Sequence, residues 1–125
     1  MIIGIGTDIA QSCRISELLD RFGESFFRHV YSSAEAAAAV GKPVAYHAGR
    51  WAAKEAAAKA LGCGFGAECH PAEIIISNAP DGRPQVEFVG VTGERFARLG
   101  AVAHLSISHE KDYATAVVIL EKREK

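Results

Sequence analysis

A chain of 125 residues without a composition break is close to the size of one common domain, and 49% hydrophobic with 23% charged residues is the balance of a folded globular protein. A net charge of −1 excludes a general nucleic-acid-binding surface, which needs a basic excess, so any anion site must be local. No apolar run approaches the roughly 18 residues of a membrane span, MIIGIGTDIA lacks the basic leader of a signal peptide, and Cys13, Cys63 and Cys69 without CxxC spacing fit reduced thiols, which together predict a cytoplasmic protein.

Ile2 to Ile9 reads as a buried, mostly apolar strand whose end carries Asp8. ISELLDRFG places Ile15, Leu18, Leu19 and Phe22 at helical spacing and stops at Gly23. A short helical turn is expected around Phe26 to Val30. Ser32 or Ser33 can cap the helix AEAAAAVG, with Glu35 early in it, where the helix dipole favours an acid. Pro43 suits a helix start, and the pattern from Val44 to Leu61 predicts a long helix ending at Gly62, with GCGFG as a flexible exit. EIIIS and PQVEFV are β-rich runs joined by NAPDGR, whose Asp81-Gly82 pair signals a hairpin. TGERFARLG makes an amphipathic helix ending at Gly100, and the strands VAHLSIS and YATAVVILE flank the polar turn HEKD. This order predicts an α+β fold, a mainly antiparallel sheet packed against the long helix, as one domain over residues 1–125.

Within RWAAKEAAAKALG, Glu55 and Lys59 are one helical turn apart, with Arg50 and Lys54 as a second pair beside them. On spacing alone a solvated, salt-bridged face is the simpler account. Asp8 either caps the next helix or projects into a cleft. If it converges with Glu55, two hard oxygen donors become available to a divalent ion such as magnesium. Cys69 and His70 form an incomplete metal set, and GIGTD matches neither a Rossmann nor a P-loop pattern. Strand alternation in HLSISHEKDY puts His104, Ser106 and Ser108 on one face and Leu105, Ile107 and His109 on the other. His109 falls where the strand becomes a turn, as a structural histidine or as one that binds phosphate or moves a proton.

Three separated segments, MIIGIGTDI, AGRWAAKEAAAKALGCGFG and HLSISHEKDYATAVVI, resemble the bacterial holo-[acyl-carrier-protein] synthases, the short 4'-phosphopantetheinyl transferases. The likeness extends through Arg14-Ile15, FFRHVYSSAE and the DGRP turn. It implies that family's fold and an enzyme that moves the 4'-phosphopantetheine arm of coenzyme A onto a serine of apo acyl carrier protein, releasing adenosine 3',5'-bisphosphate and serving fatty acid biosynthesis. The resemblance further implies Asp8 and Glu55 as Mg2+ ligands, with Asp8, Glu55, Lys59 and His109 catalytic. Arg50, Lys59, Gly62, Gly64, Ser108 and His109 would meet coenzyme A. Arg14 and Arg21, helped by Arg28, would receive the acidic carrier protein, in a homotrimer with active sites between subunits.

The nucleophile in that reaction belongs to the substrate, so the enzyme itself needs no catalytic Ser or Cys. Where the family usually continues GTDI with a hydrophobic residue and Glu, this chain has Ala10 and Gln11; Trp51 stands for the usual Phe, and Cys63 where Thr is frequent. A non-catalytic module for coenzyme A or a carrier protein would use the same basic groups but gain nothing from Asp8 and Glu55 together.

Overall fold

The structure is a computed structural model and describes residues 1–124. Strand β1 (Ile2–Gln11) leads through helices α1 (Ser12–Phe22), α2 (Glu24–Val30) and α3 (Ser33–Ala39) into the long α4 (Val44–Leu61). The hairpin β2 (Ile74–Asn78) and β3 (Pro84–Phe88), helix α5 (Gly90–Arg98), and a second hairpin β4 (Ala101–His109) and β5 (Tyr113–Lys122) follow. All pairings among these strands are antiparallel, in a three-stranded sheet ordered β1-β5-β4 and a separate β2-β3 ribbon. The α+β, antiparallel architecture is the one expected from the order of elements, and α4 begins after Pro43 and ends at a left-handed Gly62 as its sequence signals indicate.

Helix α4 lies across the three-stranded sheet because both surfaces are built from small residues. Ala114, Ala116, Val118 and Leu120 of β5 alternate into the core beneath Ala52, Ala53, Ala56 and Ala57 of the helix. The closest approach is at β1. A Cβ at Gly4 would overlap the Ala60 carbonyl, and one at Gly6 would overlap the Ala56 carbonyl and the Ala60 amide. The two glycines of GIG are therefore required by packing, with strand backbone lying directly on helix backbone.

That contact also corrects the reading of β1. The strand runs on to Gln11, so Asp8 lies inside it and not at its end. Nor is it buried throughout. Gly4, Gly6, Asp8 and Ala10 face α4, whereas Ile5 and Ile9 on the odd side are each 63% exposed.

A second correction concerns Lys54, which belongs to no solvated face: it is fully buried. Ser32 and Glu35 form a reciprocal capping box at the start of α3. The Glu35 carboxylate also accepts from Lys54 Nζ at 2.9 Å and, through its other oxygen, from the Ile76 amide at 2.9 Å. Lys54 donates its remaining hydrogens to the carbonyls of Pro71 and Ile74. All three ammonium donors are used, so the charge is buried with full hydrogen bonding. Burial pulls the Lys54 pKa down to about 8, against the opposing pull of Glu35. Through this one contact α3, α4 and β2 are fixed to each other.

Two outcomes test these packing arguments. Gly6→Ala forces helix and sheet apart and should cost about 3 kcal/mol or more in urea unfolding, at the upper end of overpacking effects; a loss under about 1 kcal/mol would show that β1 can move aside. Lys54→Met leaves Glu35 buried without its partner and should cost roughly 3–5 kcal/mol. The double variant Lys54→Met/Glu35→Gln should recover part of that loss in the same measurement.

Candidate functional site

Almost every side of α4 is covered, and the spacing of its open positions defines the site. Trp51, Glu55 and Lys59 follow one another at intervals of four and form a stripe not closed by the sheet. β1 runs beside this stripe in the opposite direction. With Gly4 against Ala60 and Gly6 against Ala56, the next helix-facing residue, Asp8, is carried one step further along the helix towards Glu55.

The two segments meet there. Lys59 Nζ donates to the Thr7 carbonyl at 3.0 Å and to Asp8 Oδ1 at 3.2 Å. The Asp8 side chain is 16% exposed and the Lys59 side chain 54%. Asp8 and Glu55 line one cleft of about 290 Å³, together with Gln11, Arg14, Leu18 and Trp51. Burial and then the Asp8 charge hold the Glu55 carboxyl above the usual glutamate value, with Lys59 acting against them. Among the described residues no group donates a hydrogen bond to either Glu55 oxygen, and Lys59 engages only one oxygen of Asp8.

Two incompletely neutralised carboxylates in a polar cleft form the donor set that suits a hard divalent ion: few protein ligands, with positions left for water and substrate phosphate. The set contains two acids, and among the described residues no group of three or more His, Cys, Asp or Glu converges on a metal position. A larger hollow of about 570 Å³ beside Phe27 and Val40 is mainly apolar and offers no paired acids.

The other expected site residues are distributed differently. Arg14 lines the cleft. Arg21 sits two turns further along the same side of α1, its guanidinium 5.5 Å from the Phe22 ring centre. Gly62 and Gly64 follow the last turn of α4, just beyond Lys59, and at both a Cβ would meet open space.

Arg50 does not join Asp8 and Glu55 within one chain. It is half a turn from Lys59 around the helix and opens into a separate groove with Lys42, Tyr46 and Asn78. Its guanidinium lies 4.4 Å from the Tyr46 ring centre and donates through Nη2 to Asn78 Oδ1, while its buried Nε has no partner. His109 ends β4 on a rung shared with Ala114 and Ala10, two strands from β1, or about 10 Å at the usual strand spacing. Ser108 faces the opposite side of the sheet, with Ser106 and His104.

Three contributors were not read from the sequence as site residues. Leu18 and Trp51 form a wall shared by the acid-lined cleft and an adjacent apolar hollow against Phe22 and Phe26. Tyr46, with Lys42 and Arg50 on either side of its ring, is the third. Helical spacing at 46, 50 and 51, 55 could have separated these two lines, since they diverge around α4 by about 140°.

A family model described as the 4'-phosphopantetheinyl transferase superfamily matches residues 4–118. The chain is 50% identical over 123 residues to the holo-[acyl-carrier-protein] synthase of Shewanella denitrificans, covering 96% of this chain and 98% of the relative. Its fold is similar to the crystal structure of that synthase from Neisseria meningitidis, with a TM-score of 0.89 and 37% identity over 98% of this chain and all of the other. A synthase from Bacillus anthracis, solved in complex with CoA (3',5'-ADP), gives a TM-score of 0.83 at 35% identity, covering 98% and 99% of the two chains.

The carboxyl interaction inside the cleft can be tested on this chain alone. Because the folded Glu55 pKa is raised, its contribution to stability is complete below the usual value of 4.5 and is lost as pH rises through the folded value. Asp8→Asn should lower the Glu55 midpoint, followed by the 13C carboxyl resonance. An unchanged midpoint would place the two acids out of electrostatic reach.

Proposed function

This chain belongs to the 4'-phosphopantetheinyl transferase superfamily, and on that premise we propose that it transfers the 4'-phosphopantetheine arm of coenzyme A to a serine hydroxyl of apo acyl carrier protein. Adenosine 3',5'-bisphosphate leaves, and the product serves fatty acid biosynthesis. The observation that carries this reading is the meeting of Asp8 and Glu55, from segments about fifty residues apart, in one polar cleft, with Lys59 bonded to Asp8 beside it. The relatives bear the name of this reaction, and the Bacillus anthracis protein was solved with coenzyme A material bound.

The serine oxygen attacks the phosphorus that carries the pantetheine arm, and the bond from that phosphorus to the bridging oxygen breaks. Negative charge develops on the leaving bisphosphate and must be met by fixed positive groups. Asp8 and Glu55 would hold a Mg2+ ion, which supplies charge neutralisation to the pyrophosphate when bound. Lys59 projects from the open stripe of α4 beside these acids, where its ammonium can meet a phosphate oxygen. Glu55 is also a candidate acceptor for the serine proton. Arg14 in the cleft and Arg21 two turns further along the same side of α1 suit an acidic carrier protein.

The cleft of about 290 Å³ is at the small end for a ligand site and accommodates a pyrophosphate better than a whole coenzyme A. A second copy of the chain would supply the remainder. Arg50, with its unpartnered Nε, and Lys42 and Tyr46 form a basic, aromatic groove suited to the nucleotide end. The outer face of the three-stranded sheet presents Ile5, Ile9, Val117 and Ile119 together, an apolar surface suited to burial between subunits. A homotrimer with active sites between subunits, in which His109 and Ser108 also reach coenzyme A, accounts for both features. Among the described residues no helix is long and apolar enough to cross a membrane, and the free cysteines fit a cytoplasmic setting.

Incubation with apo acyl carrier protein, coenzyme A and Mg2+ should add one phosphopantetheine arm to the carrier, read by mass spectrometry. Asp8→Ala and Glu55→Ala should each lose at least about 100-fold in turnover while keeping the fold, the scale of an electrostatic contribution to a transition state. No mass gain with any of several carrier proteins favours the non-catalytic binding module, and wild-type turnover in either variant removes the metal assignment.

A further inference from the structure

The ion pair between Lys59 and Asp8 has a direct consequence for ion entry. Lys59 reaches back over β1 to the Thr7 carbonyl and Asp8 Oδ1, although its side chain is half-exposed and free to extend into water. Of the two acids, Asp8 alone has this internal counter-ion, and Glu55 takes no protein hydrogen bond among the described residues. The ammonium stands 3.2 Å from Asp8 Oδ1, so a divalent ion that Asp8 would hold competes with it for one carboxylate.

Resting on the metal reading above, we propose that Lys59 is the resident counter-ion of Asp8 until a divalent ion binds, and that it must swing off Asp8 and Thr7 for the ion to enter. The same motion frees the ammonium for the pyrophosphate. Ion binding and presentation of the lysine are thus one exchange of partners. The fold permits the motion, because among the described residues only the Thr7 carbonyl and Asp8 hold the Lys59 head. Arg14, which lines the cleft but makes no bond to either acid among the described residues, serves as an internal comparison at similar charge.

The test uses Mn2+ alone, without coenzyme A, its free concentration read by electron paramagnetic resonance. Lys59→Gln should bind Mn2+ at least about tenfold more tightly than wild type, and Arg14→Gln should differ from wild type by less than about threefold, as expected for loss of a competing contact compared with loss of a more distant charge. The added Asp8→Asn change in the Lys59→Gln background should abolish that tight binding. In lysine-labelled wild-type protein the Nζ and Cε resonances of Lys59, assigned by their loss in Lys59→Gln, should shift on saturation with Mg2+. An unmoved Lys59 signal at saturation, an affinity for Lys59→Gln within about twofold of wild type, or an equal gain from Arg14→Gln overturns the exchange and leaves the transferase reading standing. Absence of Mn2+ binding in wild type and Lys59→Gln alike removes the metal assignment and this inference with it.

Discussion

Backbone-to-backbone contact between β1 and α4 is the constraint on which the site depends. Gly4 and Gly6 have no side chains because Ala56 and Ala60 of the helix occupy that space. Strand alternation then makes Asp8 the next residue to face the helix, at a depth where its carboxylate is largely shielded from water and near Glu55. A larger residue at either glycine would move the strand outwards and take Asp8 with it. The GIGTD run is thus a spacing device: two glycines set the distance and the acid uses it. In the pair that results, the Asp8 charge adds to burial in raising the proton affinity of Glu55, with Lys59 acting against both.

Much of this was legible in the sequence. The long helix from Val44 to Leu61, the capping serine before Glu35, the Asp81-Gly82 hairpin and the antiparallel α+β order all follow from local signals and occur as expected. Helical spacing paired Glu55 with Lys59, but it was the ordered family motifs that singled out Asp8, Glu55 and Lys59 together, and the structure brings the three side by side. Depth was not legible. Arg50-Lys54 and Glu55-Lys59 have the same spacing, yet Lys54 lies in the core and Lys59 in water, because neighbours from α3, η-type turn 71–73 and β2 close over one line of the helix and not the other. Likewise an apolar strand looks the same in sequence whether both faces are covered by this chain or one is left open, as in β1.

The single chain divides the expected cofactor residues between two surfaces. Asp8, Glu55 and Lys59 lie on one side of α4 and Arg50 opens to another, with His109 two strands away across the sheet. Small domains have little volume with which to enclose a large ligand. The acid-lined cleft and the Arg50 groove both lie at the margin of the core built by α4 and the three-stranded sheet, and the outer face of that sheet leaves Ile5 and Ile9 of β1 exposed.

Glu35 carries a consequence of another kind. A serine followed three residues later by Glu or Gln is ordinarily read as an interchangeable helix-start signature, since either side chain can accept from the capping amide. Here the same carboxylate also neutralises a buried ammonium and receives a strand amide, so the amide form would preserve the helix and strand the lysine. Evolutionary drift at position 35 is therefore tied to position 54, and a change that is silent for local propensity becomes one that only a paired replacement can tolerate.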